Sequence, residues 1–112
     1  TDGNYYSNYS NIQTIKVIQV NINSPSNLTA IKNIITNFVE LSWNDNSNNE
    51  TNFIIERKDS INATFSRLDV IPKNTVNYVD QSVTNGYYYT YRVIATDGIT
   101  VSYSNEISIS IP

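Results

Sequence analysis

Gly86-Tyr87-Tyr88-Tyr89-Thr90-Tyr91-Arg92-Val93-Ile94-Ala95 is the stretch that decides the fold. Aromatic and β-branched residues dominate it, and such residues suit a pleated, packed surface. Successive side chains of a strand point to opposite faces. Tyr87, Tyr89, Tyr91, Val93 and Ala95 therefore share one face, while Tyr88, Thr90, Arg92 and Ile94 share the other. Gly86 is expected to open this strand. Asp97-Gly98 just beyond it is a hairpin signal. The strand that returns puts Ile107, Ile109 and Ile111 inward and Glu106, Ser108 and Ser110 outward.

The same period of two recurs on the N-terminal side. Over residues 38–43, Val39, Leu41 and Trp43 alternate with Glu40 and Ser42, the pattern of a half-buried strand. The polar run from Asp45 to Glu50 reads as a turn. Phe53, Ile55 and Arg57 then alternate with Ile54, Glu56 and Lys58, and a second turn covers Asp59 to Ala63. A short strand is expected from Phe65 to Val70, ending near Pro72, and a brief one from Val76 to Val79 before a turn at Asp80. Seven short strands at regular intervals predict an all-β, antiparallel, two-sheet sandwich.

From about Pro25 to Pro112 the chain resembles a bacterial fibronectin type III domain. The residues that carry the resemblance are Leu41-Ser42-Trp43 with the polar run Asn44–Glu50, then Phe53-x-Ile55-Glu56-Arg57, Tyr78-x-Asp80 and Gly86-x-x-Tyr89-x-Tyr91-x-Val93-x-Ala95. It implies an immunoglobulin-like sandwich with strands A, B and E in one sheet and C, C′, F and G in the other. It also implies that Trp43 is the core tryptophan of strand B. Tyr89 takes the tyrosine-corner position, whose hydroxyl bonds nearby backbone. Asn52 stands before Phe53 where relatives often carry Gly, a departure that touches the turn and no core position. The expected core is Leu28, Ala30, Val39, Leu41, Trp43, Phe53, Ile55, Leu68, Tyr78, Val83, Tyr89, Tyr91, Val93, Ala95, Ile107 and Ile109.

The first residues echo the end of this pattern. Thr1-Asp2-Gly3 matches Thr96-Asp97-Gly98, and Asn8-Tyr9-Ser10-Asn11 matches Ser102-Tyr103-Ser104-Asn105 at an offset of about 94 residues, the size of one repeat. Ile15 and Val17 stand where Ile109 and Ile111 stand, although Gln13 opposes Ile107. Residues 1–18 are thus expected to be the strand G remnant of a preceding repeat, 19–24 a linker, and 25–112 the domain, within a tandem array. Thr1 reads as a cut inside a longer protein. Apolar residues at 12, 15, 17, 18 and 20 invite edge pairing, so the expected state is a monomer or a weak strand-paired dimer.

Composition excludes several function classes. Among the 112 residues there is no Cys, His or Met, which removes a thiolate nucleophile, the usual zinc ligands and an imidazole base. The net charge of −3 comes with few, scattered basic residues, so nucleic acid is not an expected partner. No apolar run reaches the length of a membrane-spanning helix. No catalysis, cofactor or metal site is expected. The carboxylates Asp45, Glu50, Asp80 and Asp97 sit at turns without calcium-loop spacing. Arg57 and Arg92 are expected to pair with Glu56 or other acidic neighbours on the surface, where pairs contribute little. The candidate binding residues are Tyr88, facing outward, Tyr103 at an edge, and Asp97 in a loop; Tyr5 and Tyr6 belong to the severed repeat. The resemblance implies a structural spacer in a secreted or cell-surface bacterial protein, in company with glycan-degrading domains. Its expected partners are neighbouring domains of the same chain. The alternative is a module that binds a polysaccharide or a cell-surface protein through the exposed tyrosines and the loops at 44–50 and 96–100.

Overall fold

A computed structural model describes residues 21–112; the expectations for residues 1–18, the edge pairing of residues 9–20, and Tyr5 and Tyr6 lie outside the described residues. The elements are β1 (Ser26–Lys32), β2 (Val39–Asn44), β3 (Asn52–Asp59), β4 (Ser66–Pro72), β5 (Asn77–Asp80), β6 (Tyr88–Thr96), β7 (Val101–Tyr103) and β8 (Ile107–Ser110). One sheet has the order β1-β2-β5. The other has the order β4-β3-β6, with both β7 and β8 paired to β6. All pairs are antiparallel. β7 and β8 are one interrupted strand, so the seven-stranded sandwich expected from the sequence is the fold, with the expected division between sheets.

Local chemistry explains the interruption. Ser104 donates its backbone N–H to the Val93 carbonyl at 2.8 Å, while its hydroxyl accepts from the Val93 N–H at 2.9 Å. A side chain therefore fills a place that a ladder carbonyl would occupy. The freed Asn105 turns its amide to the other sheet, accepting from the Leu28 N–H at 2.9 Å and donating to the Leu28 carbonyl at 3.1 Å. An amide side chain carries the same donor and acceptor as a peptide group. Asn105 thus satisfies β1 backbone beside Asn27, which has a φ of 55° where the β1–β2 register shifts.

Alternation sets the core. Val39, Leu41 and Trp43 from β2 meet Phe53 and Ile55 from β3 and Tyr89, Tyr91, Val93 and Ala95 from β6 between the sheets. Trp43 and Phe53 pack edge to face with ring centroids 5.8 Å apart. All sixteen expected core residues are buried or packed against the core, and Ile22, Ile71 and Ile111 join them. Each large apolar side chain fully buried contributes about 1.5–3 kcal/mol. Ile94 faces outward yet is buried, lying in register between Ile54 and Tyr103.

One turn detail differs from the sequence reading, and one agrees with it. Gly86 does not open β6, which starts at Tyr88. It sits in the preceding turn with φ of 89°, a conformation that suits Gly, and its N–H donates to the Ile111 carbonyl. Gly98 takes the left-handed position of the β6–β7 turn, with φ of 95°.

The ends of the described chain lie at opposite ends of the sandwich. Ile111 pairs with Tyr87 and Gly86 beside the β5–β6 loop. Residues 21–24, by contrast, pack on the β2–β3 loop. Ile22 is buried in the core. The Asn46 amide donates to the Ser24 carbonyl at 2.9 Å and to the Ser26 hydroxyl at 2.8 Å. Asn23 donates to the Asn46 carbonyl at 2.9 Å, and Asn49 to the Asn21 carbonyl at 3.2 Å.

Candidate functional site

The three candidate binding residues do not converge. Tyr88 and Tyr103 are both exposed, at 53% and 48%, and both lie on the outer face of the larger sheet. Tyr88 starts β6 opposite Ser110, whereas Tyr103 stands opposite Ile94. The strand rise separates these positions by about 20 Å. Asp97 lies in the β6–β7 turn, where its Oδ1 accepts from the backbone N–H groups of Ile99 and Thr100 at 2.9 and 2.7 Å. These amides, Thr100 first, hold its carboxyl below the usual range. Asp97 therefore shapes a turn.

Tyr103 has one ring face covered. The Arg92 guanidinium carbon stands 4.6 Å from the Tyr103 ring centre and 4.0 Å from that of Phe65. Glu56 completes the grip, its Oε1 accepting from Arg92 Nε at 2.7 Å and Nη2 at 2.6 Å. Lys58 stands 4.8 Å from the Phe65 ring centre. Register places Glu56 between Arg92 on β6 and Arg67 on β4. Arg92 pairs with Glu56 as the sequence suggests, but the pair sits within a ladder of rings and cations. Phe65 was not among the sequence candidates; it lies in the β3–β4 turn, just before β4.

Arg57 departs from the surface pairing expected of it, because its partner Asp80, expected only at a turn, is buried. Asp80 is 1% exposed and closes the space between the sheets. Arg57 Nη1 and the Tyr91 hydroxyl donate to its Oδ2 at 2.8 and 2.6 Å. The Ser82 N–H and hydroxyl donate to Oδ1 at 3.0 and 2.8 Å. Burial works to raise the Asp80 pKa, but the Tyr91 hydroxyl, the Ser82 amide and the Arg57 guanidinium outweigh it and hold the carboxyl below its ordinary value. Burial and then the Asp80 carboxylate push the Tyr91 hydroxyl far up. Arg57 also lies over the Tyr89 ring, 4.8 Å from its centre. The cluster joins β3, β5 and β6 and points to structure, since every Asp80 oxygen is already engaged.

Tyr89 fills the tyrosine-corner role. Its hydroxyl oxygen accepts from the Thr84 N–H at 2.7 Å, tying the β5–β6 loop to the core. Tyr89→Phe is expected to lower stability by about 1 kcal/mol, the net value of one such bond. Chemical denaturation of both proteins checks this, and an unchanged midpoint would show that water replaces the bond.

The β2–β3 loop contains the remaining acid pair. Glu50 is buried, accepting from the Ser47 hydroxyl at 3.0 Å and the Asn74 N–H at 3.1 Å. Burial and the neighbouring Glu50 push Asp45 up. Glu50 itself is held down, because hydrogen bonds from Asp45, Asn74 and Ser47 overcome its burial. Among the described residues no group of three or more acidic side chains is placed to hold a metal ion. No helix there is long and apolar enough to cross a membrane.

No family model matches the chain. Over 59 residues, 53% of its length, it is 36% identical to an amylopullulanase of Thermoanaerobacterium thermosulfurigenes, and the match spans 3% of that protein. Among solved structures, an Fn3-like protein from Clostridium thermocellum superimposes with a TM-score of 0.65 at 22% identity, covering 79% of this chain and 91% of that one. The FN3 domain of human collagen XX superimposes with a TM-score of 0.67 at 12% identity, covering 86% and 98%. The fold is that of a fibronectin type III domain.

Proposed function

We propose that the chain is a non-catalytic accessory module of a secreted, multidomain, glycan-degrading bacterial protein, in which it fixes the distance and orientation of its neighbours. The observation that carries this reading is the packing of residues 21–24 on the β2–β3 loop, at the end of the sandwich opposite Ile111. A chain segment held by a buried Ile22 and three amide hydrogen bonds enters the module along one direction. A free linker of that length would lose orientation between neighbours. The partial match to an amylopullulanase supports the glycan-degrading context and, with it, an extracellular location.

Nuclear magnetic relaxation tests the reading directly. The heteronuclear NOE of Ile22, Asn23 and Ser24 is expected to equal that of the strands in residues 1–112. Asn46→Ala removes the bonds to Ser24 and Ser26. It should lower those NOE values while the strands keep theirs, at a stability cost of about 1 kcal/mol. Values typical of a free chain at Ile22–Ser24 in the unaltered protein would defeat the orienting role.

A further inference from the structure

We propose that the outer face of β3, β4 and β6 binds an acidic polysaccharide, with Lys58 and Arg67 meeting its carboxylates and Phe65, whose ring carries Lys58 and Arg92, holding these cations in place beside the sugar rings. This goes beyond the spacer reading and stands or falls separately from it. Charge is the first argument. The outward side chains of these three strands include Lys58, Arg67 and Arg92 against Glu56, a local excess of cations on a chain whose net charge is −3. Such a concentrated patch attracts an anionic polymer even when the whole molecule is acidic. Arg92 is engaged by Glu56. Among the described residues no carboxylate stands within ion-pair distance of Lys58 or Arg67, and Lys58 rests over the Phe65 ring instead.

Shape is the second argument. Lys58, Asp59, Ile61, Asn62 and Phe65 are among the residues that line an open cleft of about 530 Å³ beside the β3–β4 turn. Ile61 is 68% exposed there, so the cleft combines apolar surface with an amide, an ammonium group and the Asp59 carboxylate, which can accept from sugar hydroxyls. That mixture matches a uronic acid, whose ring presents C–H faces and whose rim carries hydroxyls and a carboxylate. The ladder is also preorganised. Phe65 and Tyr103 flank Arg92, and Glu56 anchors it, so the side chains that shape the face lose little freedom on binding.

A matched pair of polymers separates the contributions. Residues 1–112 are run in native gels containing carboxymethyl cellulose, hydroxyethyl cellulose or poly-glutamate. Carboxymethyl cellulose is expected to retard the protein. Lys58→Glu and Phe65→Ala should each remove most of that retardation, and Lys73→Glu, in the turn after β4, should not. Added salt should weaken the effect. Thermal melts of each variant confirm that the fold is kept. Several results overturn the proposal: no retardation by carboxymethyl cellulose, equal retardation by hydroxyethyl cellulose, equal retardation by poly-glutamate, or equal loss in Lys73→Glu. Equal behaviour in the two celluloses would mean neutral sugar stacking. Equal behaviour with poly-glutamate, or equal loss in Lys73→Glu, would mean unspecific charge.

Discussion

Asp80→Ala is expected to lower the free energy of unfolding by about 3–5 kcal/mol, because it leaves a partly buried guanidinium and a buried hydroxyl without their shared acceptor. For a domain of this size that is a fall in Tm on the order of 20 °C. The loss is larger than that of an exposed ion pair because Asp80 accepts from four groups in a site that excludes water. Asp80→Asn keeps the shape and loses the charge, so its cost should fall between those of the parent protein and Asp80→Ala. Urea denaturation at neutral pH measures both, with the midpoint moving and the slope unchanged.

The pH dependence carries a definite sign. Asp80 is held below its ordinary carboxylate value in the folded protein. A depressed folded pKa contributes stability that is fully present above the unfolded value, about 3.9, and is lost as pH falls through the folded value. The stability gap between the parent protein and Asp80→Asn should therefore be constant above about pH 5 and narrow below about pH 4. A gap that stayed constant to pH 2 would show that the carboxylate charge is not what the cluster uses.

The sequence made the sandwich legible because its signals are local and repeated. Alternation along β2, β3 and β6 depends on a period of two, and a packed face enforces that period on every strand. Turn chemistry was equally readable at Asp97-Gly98, where the carboxylate and the left-handed glycine act within four residues. Asp80 was misread because it follows a strand that ends in a turn, and a turn carboxylate is usually solvated. Its burial depends on Arg57 and Tyr91, which are 23 and 11 residues away and belong to two other strands. The same holds for residues 21–24. They read as linker because the echo of the repeat's end stops at residue 18, yet Asn46 and Asn49 meet them across more than twenty positions. The candidate binding face was half legible. Alternation put Tyr88 and Arg92 outward, but only register shows that Tyr88 and Tyr103 stand far apart and that Phe65 joins Arg92.

Trp43→Ala is expected to cost about 3–5 kcal/mol, the range for removing a large aromatic side chain from a core that cannot collapse around the gap. Trp43 is 4% exposed at the end of β2, and its ring contacts Phe53 edge-on. The substitution removes apolar area, leaves a cavity and takes away the partner of Phe53. Trp43→Phe separates these effects from the polar part of the indole. Among the described residues the buried Trp43 Nε1 has no hydrogen-bond acceptor. An unsatisfied buried donor costs about 1–3 kcal/mol, because water that would have served it has been excluded. Phenylalanine deletes that donor along with some ring volume, so the two changes oppose one another. Trp43→Phe should consequently cost far less than Trp43→Ala, about 1 kcal/mol or less. Guanidinium titrations of the three proteins decide the matter. If Trp43→Phe destabilised the domain nearly as much as Trp43→Ala, the indole N–H would be engaged and its ring volume irreplaceable. A small cost for Trp43→Phe would mean that apolar volume and the contact with Phe53 account for this position, leaving the tryptophan no need of a ligand.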